Sequence, residues 1–311
     1  MSIRNLRWLP MAALTLSPVA GHAAMGQIAT NFGLLPQDVA SAQALSMFSN
    51  DPSVTYYNPA YLAKDRKGAL TAGFLYTKQE LTAKDWNTPD DVVTGDVIED
   101  RSNYNILLGM KTDLSQMLKS ERPLVLGLML GAERTGNRLL SFSSTTSQTA
   151  QPLRYGQQSL FLSLGAGLNV VPGFDVGAST RITLAASADL STYTDLSGNT
   201  LYESISVSAK PNIQPILSGN LDWGRLVCPS RRGCWLTGLE TSLSWRYESA
   251  FETEANALAV VPNLLQGLPL ALATIDSYQP ETWSAAMQYN MYKLRLAAGV
   301  DYQLWSGLND K

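Results

Sequence analysis

The sequence predicts an all-β protein, an antiparallel barrel that crosses a membrane, and three observations support this fold class. Apolar and polar side chains alternate along many segments, as in residues 238–251, where Leu239 and Leu243 share one parity and Glu240 and Ser244 the other. Several of these runs reach ten or more residues, which suits a tilted membrane-spanning strand better than the shorter strands of a soluble sandwich. Only 16% of the residues are charged, against about a quarter in soluble proteins.

The amino-terminal residues 1–24 predict a secretory signal peptide. Arg4 and Arg7 precede an apolar run, and the small residues that follow predict cleavage after Ala23 or Ala24. A short transmembrane anchor is the alternative, but the run has about 14 residues and contains two prolines, whereas a spanning helix needs roughly 20 apolar residues. We therefore expect the chain to be exported.

Residues 25–67 precede the first predicted strand and have a different character. The stretch PQDVASAQALSMF, with Pro36 and Asp38 near its start, predicts a helix, and the stretch after it is rich in turn-forming residues. A block of this length is too short to form a stable domain alone. We expect it to lie inside the barrel as a plug, with a loose tail as the alternative.

Nine strands are predicted, separated by alternating short and long connections. The reversals VVPGF and MYK are short, as periplasmic turns are, whereas residues 83–101, 143–155 and 251–280 are long, as outer loops are. The sixth strand is the least regular, because Pro211 and Pro215 each lack a backbone donor. The predicted strands are residues 68–82, 102–113, 123–142, 156–171, 174–189, 201–223, 236–250, 281–291 and 293–306.

An odd number of strands is unexpected for a bacterial single-chain barrel. Such barrels have an even number of strands, and their sheets close so that no edge is left without hydrogen-bond partners in the membrane. We therefore expect residues 68–311 to be a partial barrel that lacks its C-terminal strands.

Charge and histidine content exclude several functions. A formal net charge of −3, from 23 basic and 26 acidic residues, gives no basic surface for nucleic acid. The one histidine, His22, lies in the predicted signal peptide. The mature chain therefore lacks the base of Ser-His-Asp or Cys-His catalysis and any histidine metal ligand. We predict no catalytic residue, cofactor or metal site, although Ser-Lys chemistry is not formally excluded.

The two cysteines predict a disulfide. Cys228 and Cys234 bracket the sequence PSRRG, and their spacing allows a small closed loop in an oxidising compartment. A redox or metal-binding pair would require CxxC spacing or additional ligands.

The last long connection contains an apolar segment, residues 256–275, in which about 14 of 20 residues are apolar. Pro262 and Pro269 interrupt it, which favours two short apolar turns or helices over a membrane-spanning helix. An exposed apolar patch of this kind is typical of a binding surface, although packing against the barrel rim also explains it. The candidate capture residues are Val260, Val261, Leu264, Leu265, Leu268 and Leu270.

Residues 44–63, ALSMFSNDPSVTYYNPAYLA, resemble the hatch of the outer-membrane long-chain fatty-acid transport family, the FadL/TodX type. Asn58, Pro59 and Ala60 match the family's hatch motif. The stretches PGFDVGAS, SLSWRYESAFETEANA and YQPETWSAAMQYNMYKLRLAAGVDYQLWS extend the resemblance, in the family's order, to the end of the sequence. It implies a monomeric barrel of fourteen strands with an N-terminal hatch, of which about nine strands are present here.

The resemblance also implies uptake of hydrophobic compounds into the cell through the outer membrane. Long-chain fatty acids are the expected cargo, with alkanes and aromatic hydrocarbons as alternatives. The cargo would be captured at apolar outer loops and would leave sideways, after a hatch movement, at a kinked third strand. Gly127 and Gly131 are candidate kink positions, although packing toward the lumen explains them equally well. The implied partners are outer-membrane lipid, the hydrophobic cargo and the outer-membrane assembly machinery. A structural barrel or a general porin is the alternative function.

Overall fold

The computed structural model of the chain describes one large antiparallel sheet and a short helical segment before it. The described residues are 33–79, 101–115, 117–142, 151–194, 200–228, 234–260 and 268–308. The predicted signal peptide, residues 1–24, lies outside them. The strands are β1 (Ala69–Gln79), β2 (Arg101–Asp113), β3 (Leu124–Phe142), β4 (Gln151–Val171), β5 (Phe174–Thr194), β6 (Thr200–Asp222), β7 (Leu239–Arg246), β8 (Ser249–Val260), β9 (Leu268–Gln279), β10 (Glu281–Met291) and β11 (Leu294–Leu304).

The main path of the sheet contains nine strands, in the order β1-β2-β3-β4-β5-β6-β7-β10-β11. Every neighbouring pair on this path is antiparallel. These are the nine strands that the period-two pattern predicts, so the predicted architecture of the wall is confirmed. Within the described residues the sheet does not close, because β1 pairs only with β2 and β11 only with β10.

The expectation of turns or short helices within residues 251–280 was wrong. The chain forms a hairpin of β8 and β9, and its described part contains no helix. Alanines occupy the parity opposite Leu258 and Leu270, which hides the period of two in the sequence. Pro269 is the second residue of β9, a position near a strand end where proline is tolerated.

The β8–β9 hairpin packs along the free edge of the β5–β6 hairpin. The ladder between β4 and β5 ends at the pair Leu160 and Leu184, although both strands continue. Beyond that point, residues 190–193 of β5 pair in parallel with residues 257–260 of β8. This is the one parallel pairing within the described part of the sheet, and it joins segments far apart in the sequence.

Strand β6 is continuous through Pro211 and Pro215. Both prolines lie beyond the β6–β7 ladder, which begins at Ile216, so no backbone donor is needed on that edge. Side-chain amides bridge the gap, since Asn212 donates to the Ala250 carbonyl at 2.5 Å and Gln214 to the Tyr247 carbonyl at 2.7 Å.

The two faces of the sheet differ as the alternation predicts. The outward face carries exposed apolar side chains, and Leu243 is 50% exposed although it lies in the middle of β7. The inward face carries buried polar side chains such as Asp175, Arg181 and Ser244. Further exposed outward residues are Leu70, Phe74, Ile106, Leu108, Met110, Leu126, Leu130, Leu160, Leu164, Leu184, Ile213, Leu217, Trp283, Met287, Leu296, Val300 and Tyr302.

The segment before β1 folds into short helices. They are α1 (Pro36–Ala40), a 3-10 helix (Ser46–Phe48), α2 (Val54–Tyr57) and a second 3-10 helix (Pro59–Lys64). The predicted single helix is therefore wrong in length, because Ala42 and Gln43 adopt positive φ angles of 48° and 63°, which no α-helix accommodates. Buried Asp38 holds this bend by accepting hydrogen bonds from the Leu35 amide and the Ser46 hydroxyl.

The other helices are short as well. Helix α3 (Trp223–Val227) follows β6, and a 3-10 helix (Trp305–Leu308) follows β11. In the part of the chain that the structure describes, no helix has the length and apolar character needed to cross a membrane.

A charged residue on the outward face should destabilise the protein strongly in the middle of a strand and only weakly near the end of a strand. Leu243→Arg should lower the free energy of unfolding in lipid vesicles by about 2–4 kcal/mol, because the guanidinium would meet hydrocarbon. Leu70→Arg is the matched control, since Leu70 is equally outward but lies at the start of β1, and it should cost about 0–1 kcal/mol. Equal costs at the two positions in urea titrations would contradict an outward face in contact with lipid.

Candidate functional site

The segment of residues 33–67, called the hatch segment below, lies against the inward face of the sheet. Its apolar residues and those of the wall form a single buried cluster. The cluster comprises Leu34, Leu35, Met47, Phe48, Val54, Tyr56, Tyr57, Tyr61 and Leu62 from the segment and Leu107, Val125, Met129, Phe161, Ile216 and Ala286 from the wall. Most of the buried apolar side chains in the described ranges are therefore found where the segment meets the sheet.

Asn58 fixes the middle of the hatch segment. Its side chain is fully buried, and its amide nitrogen donates to the Met47 carbonyl at 2.7 Å and to the Ser242 hydroxyl at 3.0 Å. Ser242 in turn donates to the Asn220 amide oxygen at 2.6 Å. One amide group thus joins two turns of the segment to β6 and β7, a role that an aspartate could not fill because it has no N–H donor.

Pro59 and Ala60 sit in a notch of the wall made by two glycines. Gly167 of β4 and Gly177 of β5 are directly paired. A Cβ at Gly167 would lie 2.6 Å from the Pro59 carbonyl oxygen, and one at Gly177 would overlap the backbone of Pro59 and Ala60. The Ala60 amide donates to the Ser218 hydroxyl of β6 at 2.7 Å. The backbone of the Asn58-Pro59-Ala60 motif therefore contacts the wall without any intervening side chain.

Gly127 and Gly131 also lie on the inward face, and the β2–β3 ladder passes both without a change of register. The irregularity of β3 lies between Thr135 and Arg138, in its pairing with β4. A Cβ at Gly127 would overlap the Thr55 side chain, and one at Gly131 would overlap the Phe161 ring. The β2–β3 pairing is therefore regular at both glycines, and both approach inward side chains closely; a kink at either position stays a prediction.

Three consecutive charged residues tie the end of the hatch segment to the wall. Lys64 Nζ lies 2.6 Å from an Asp222 carboxylate oxygen and 3.0 Å from one of Glu240. The next two pairs are Asp65 with Lys111 at 3.0 Å and Arg66 with Asp113 at 2.7 Å. The wall partners of these pairs lie on β2, β6 and β7, so the three residues connect strands that are far apart in the order of the sheet.

The Asp65 carboxylate is ionised at neutral pH. Burial acts to raise the pKa of Asp65, but hydrogen bonds from the Lys67 backbone and from Lys111 outweigh it and hold that pKa below the ordinary value of 3.8. A carboxylate with a lowered pKa stabilises the fold above the unfolded pKa and loses that contribution as the pH falls through the folded pKa. The Asp65–Lys111 pair should therefore persist at pH 7 and weaken only below pH 3.8.

A polar network connects the other side of the segment to β10 and β11. Arg295 donates to the Phe48 carbonyl at 2.6 Å and to the Gln288 amide oxygen at 2.7 Å. Gln288 donates to the Tyr61 hydroxyl at 3.2 Å. Burial, together with the nearby Glu240 charge, raises the pKa of Tyr61 to about 12, so the phenol stays protonated at physiological pH.

Two arginines of the wall stack on the aromatic rings of α2. The Arg181 guanidinium lies 4.1 Å from the Phe161 ring centre and 5.3 Å from that of Tyr56, and the Arg246 guanidinium lies 5.2 Å from Tyr56. Both arginines are largely buried. The alternation places them on the inward face, but no sequence signal pairs them with Tyr56.

A cavity of about 220 Å³ lies between the hatch segment and strands β7, β10 and β11. Arg246 donates to the Ser284 hydroxyl at 2.8 Å beside it. Its lining mixes polar and apolar groups: Ala42, Gln43, Ala44, Ser46, Met47, Tyr57, Arg246, Ser284, Ala285, Ala286, Gly299, Val300 and Asp301.

The candidate capture residues are only partly described. Val260 ends β8, and Leu268 and Leu270 belong to β9. Val261, Leu264 and Leu265 lie outside the described residues. The hairpin that carries them continues from β7 and returns to β10, away from the end of the sheet where the short turns lie.

Cys228 and Cys234 are joined as a disulfide directly after α3. Over the described ranges, no group of three or more His, Cys, Asp or Glu side chains is placed to hold a metal ion.

Comparison with known proteins adds one relative. The chain is 40% identical over 306 residues to alkane uptake protein A of Marinobacter nauticus. The match covers 97% of this chain and 66% of the relative, so the chain spans slightly less than two thirds of the length of that protein. No family model matches the chain.

The glycine notch predicts a position-specific effect of adding a single methyl group. Gly177→Ala should displace the hatch segment, because the new Cβ would overlap the Pro59-Ala60 backbone, and overpacking of this kind costs about 1–3 kcal/mol. Gly219→Ala is the matched control, since its Cβ would meet its nearest neighbour, the Phe174 ring, at 3.8 Å. Limited proteolysis should cut the hatch segment faster in the first variant only. Equal protection in both would show that the notch does not hold the motif.

The ion pairs of the hatch segment should differ in strength. Lys64→Met should destabilise the protein by about 3 kcal/mol, because it leaves two shielded carboxylates without their cation. Arg66→Gln should cost less than about 1 kcal/mol, since the Arg66 side chain is 49% exposed and that of Lys64 only 16%. Chemical unfolding of the two variants measures the difference, and a cost at Arg66 equal to that at Lys64 would refute this ranking.

Proposed function

Because the chain belongs to the FadL/TodX-type family of its alkane-uptake relative, we propose that it is an outer-membrane protein that takes up hydrophobic compounds. One observation carries the proposal: the inward face of the sheet is covered by residues 33–67, while the outward face exposes apolar side chains. A wall of this kind suits a membrane, and the segment on its inner side acts as the hatch.

The β8–β9 hairpin provides the capture surface. Its sequence is rich in leucine, valine and alanine, and it extends from the end of the sheet opposite the short turns, which is the outer end of a bacterial barrel. Each methylene of a cargo chain buried there contributes about 0.8 kcal/mol. Such binding needs no directional groups, so a linear alkane and the alkyl chain of a long-chain fatty acid are both suitable cargo.

The hatch opens along its seam with strands β3 to β5. Polar contacts among the described residues hold the hatch to β6, β7, β10 and β11 through Asn58, Ala60, Lys64 and Arg295. Two further ion pairs, of Asp65 and Arg66, hold its end to β2. Toward β3, β4 and β5 the hatch packs on glycines. Movement away from those three strands breaks few hydrogen bonds, and the cargo then leaves sideways through the wall.

A general porin or a purely structural barrel is the rival function. Charged inward residues such as Glu240 and Arg246 would suit a porin. Here Glu240 forms an ion pair with Lys64 of the hatch segment, and the Arg246 guanidinium lies over the Tyr56 ring. An enzymatic role has little support, because the one histidine of the chain is His22 and the relative is named for uptake.

Uptake measurements in a strain that lacks the gene test the proposal. Complementation with the complete gene should restore uptake of radiolabelled hexadecane, of oleate, or of both. Deletion of residues 256–275 should lower the initial rate by about tenfold or more, because the apolar capture surface is lost. Deletion of residues 143–150 is the matched control, since SSTTSQTA is a polar outer connection, and uptake should stay within about twofold of the wild type.

Several results would contradict the proposal. Unchanged uptake of both compounds after deletion of the whole gene would leave only a structural role. Passage of small hydrophilic solutes at porin rates through the intact protein would identify a general pore. An equal loss of uptake in the two loop deletions would show that the β8–β9 hairpin is not the capture surface. The proposal that the protein takes up hydrophobic compounds would still stand.

A further inference from the structure

A groove of about 530 Å³ crosses the outward face of the wall, over strands β2 to β5. Two adjacent rows of paired residues line it. Met110, Leu128 and Leu164 belong to one row, and Leu126 and Ala166 belong to the next. The groove, called the outer groove below, is therefore an open recess in the apolar face of the sheet, on the side away from the hatch segment.

Two glycines contribute backbone to the floor of the outer groove. Gly127 of β3 and Gly165 of β4 are directly paired, and both line the groove. From the other side of the wall, a Cβ at Gly127 would overlap the Thr55 side chain of the hatch segment, and a Cβ at Gly165 would lie 3.0 Å from it. The wall is therefore a single backbone layer at this point, with the hatch segment on one side and the groove on the other.

The dimensions and lining of the outer groove fit one alkyl chain. Adjacent outward rows are two residues apart along a strand, which is about 6.6 Å, and four strands span about 14 Å. An α-helix with its side chains is about 10–12 Å wide, which is too wide for two such rows. The described lining carries no charged side chain. A chain of methylenes gains free energy from burial in such a recess without any directional contact.

The depth of the outer groove indicates which molecule supplies that chain. Leu126 and Leu128 are the third and fifth residues of β3, and Ala178 and Thr180 are the fifth and seventh of β5. At 3.3 Å per residue and a tilt of about 45°, they lie roughly 5–14 Å above the strand starts, at the short-turn end of the sheet. The groove is therefore continuous with the membrane-facing surface of the wall, in the half of the membrane nearer the short turns.

We propose that the outer groove is a binding site for one acyl chain of a membrane phospholipid, supplied by the leaflet at the short-turn end. Short turns lie on the periplasmic side of a bacterial barrel, so this leaflet is the inner one of the outer membrane; that placement rests on the outer-membrane location proposed above. The bound chain covers the wall where it is one backbone layer thick, opposite Thr55 of the hatch segment.

Photolabelling of the full-length protein in liposomes tests the site. The probe is phosphatidylethanolamine with a diazirine near the middle of one acyl chain, and peptide mass spectrometry measures the labelling of individual residues. The double substitution Ala166→Leu, Ala178→Leu should lower the labelling of Leu126 and Leu164 about fivefold, because the new side chains displace methylenes of the acyl chain from the groove.

The matched control is the double substitution Ala132→Leu, Ala298→Leu. It adds the same two side chains at exposed alanines that lie outside the outer groove, so the labelling of Leu126 and Leu164 should be unchanged. Loss of labelling in the first variant alone supports the site. Equal labelling in the two variants, whether retained or lost, overturns it.

The wild type provides a second measurement that needs no variant. Leu164 should be labelled more strongly than Leu243, although Leu164 is 41% and Leu243 50% exposed, because only the groove retains the chain. Labelling in proportion to exposure overturns the proposal. Displacement of the label by hexadecane but not by unlabelled phospholipid also overturns it, since the groove would then hold cargo. A protein that keeps the label but restores no uptake would refute the transport proposal and leave the lipid site in place.

Discussion

Every backbone polar group that lies in a bilayer must find its hydrogen-bond partner within the protein, because hydrocarbon offers none. The long antiparallel ladders of this chain meet that requirement along the wall. They also force side chains to alternate between two environments, so the inward face has polar groups that need partners of their own. Much of the hatch segment serves this need, and the Asn58 amide, the Lys64 ammonium and the Phe48 carbonyl each pair with a group of the wall.

The wall could be predicted from the sequence because its rule is simple. A period of two assigned the nine strands of the main path, and it put Glu240 and Leu243 on opposite faces, which the burial of Glu240 and the exposure of Leu243 confirm. It missed β8 and β9 because alanines fill the polar parity, so both faces look apolar. Pro211 and Pro215 make β6 look less regular in the sequence than it is, because the sequence does not show that the β6–β7 ladder includes neither proline.

The site was less accessible to sequence reasoning. The motif Asn58-Pro59-Ala60 could be recognised from the sequence, but the part of the wall that it contacts could not. Gly167 and Gly177 lie more than a hundred residues away, and nothing in the sequence links two strand glycines to the motif. Gly127 and Gly131 show the same ambiguity: a glycine in a strand allows either a bend or the close approach of another chain segment. The structure adds that the Thr55 side chain lies close to Gly127 and the Phe161 ring close to Gly131.

The parallel pairing between β5 and β8 has a consequence for the order in which the protein assembles. Residues 190–193 and 257–260 are separated by more than sixty positions, whereas the hairpins that carry them close between near neighbours in sequence. Long-range pairing requires a larger loss of chain entropy before it is compensated by contacts. The pairing between β5 and β8 should therefore form later than the two hairpins that it joins. The contacts of the hatch segment with β7 and β11 span still longer stretches of sequence, so they should form later again.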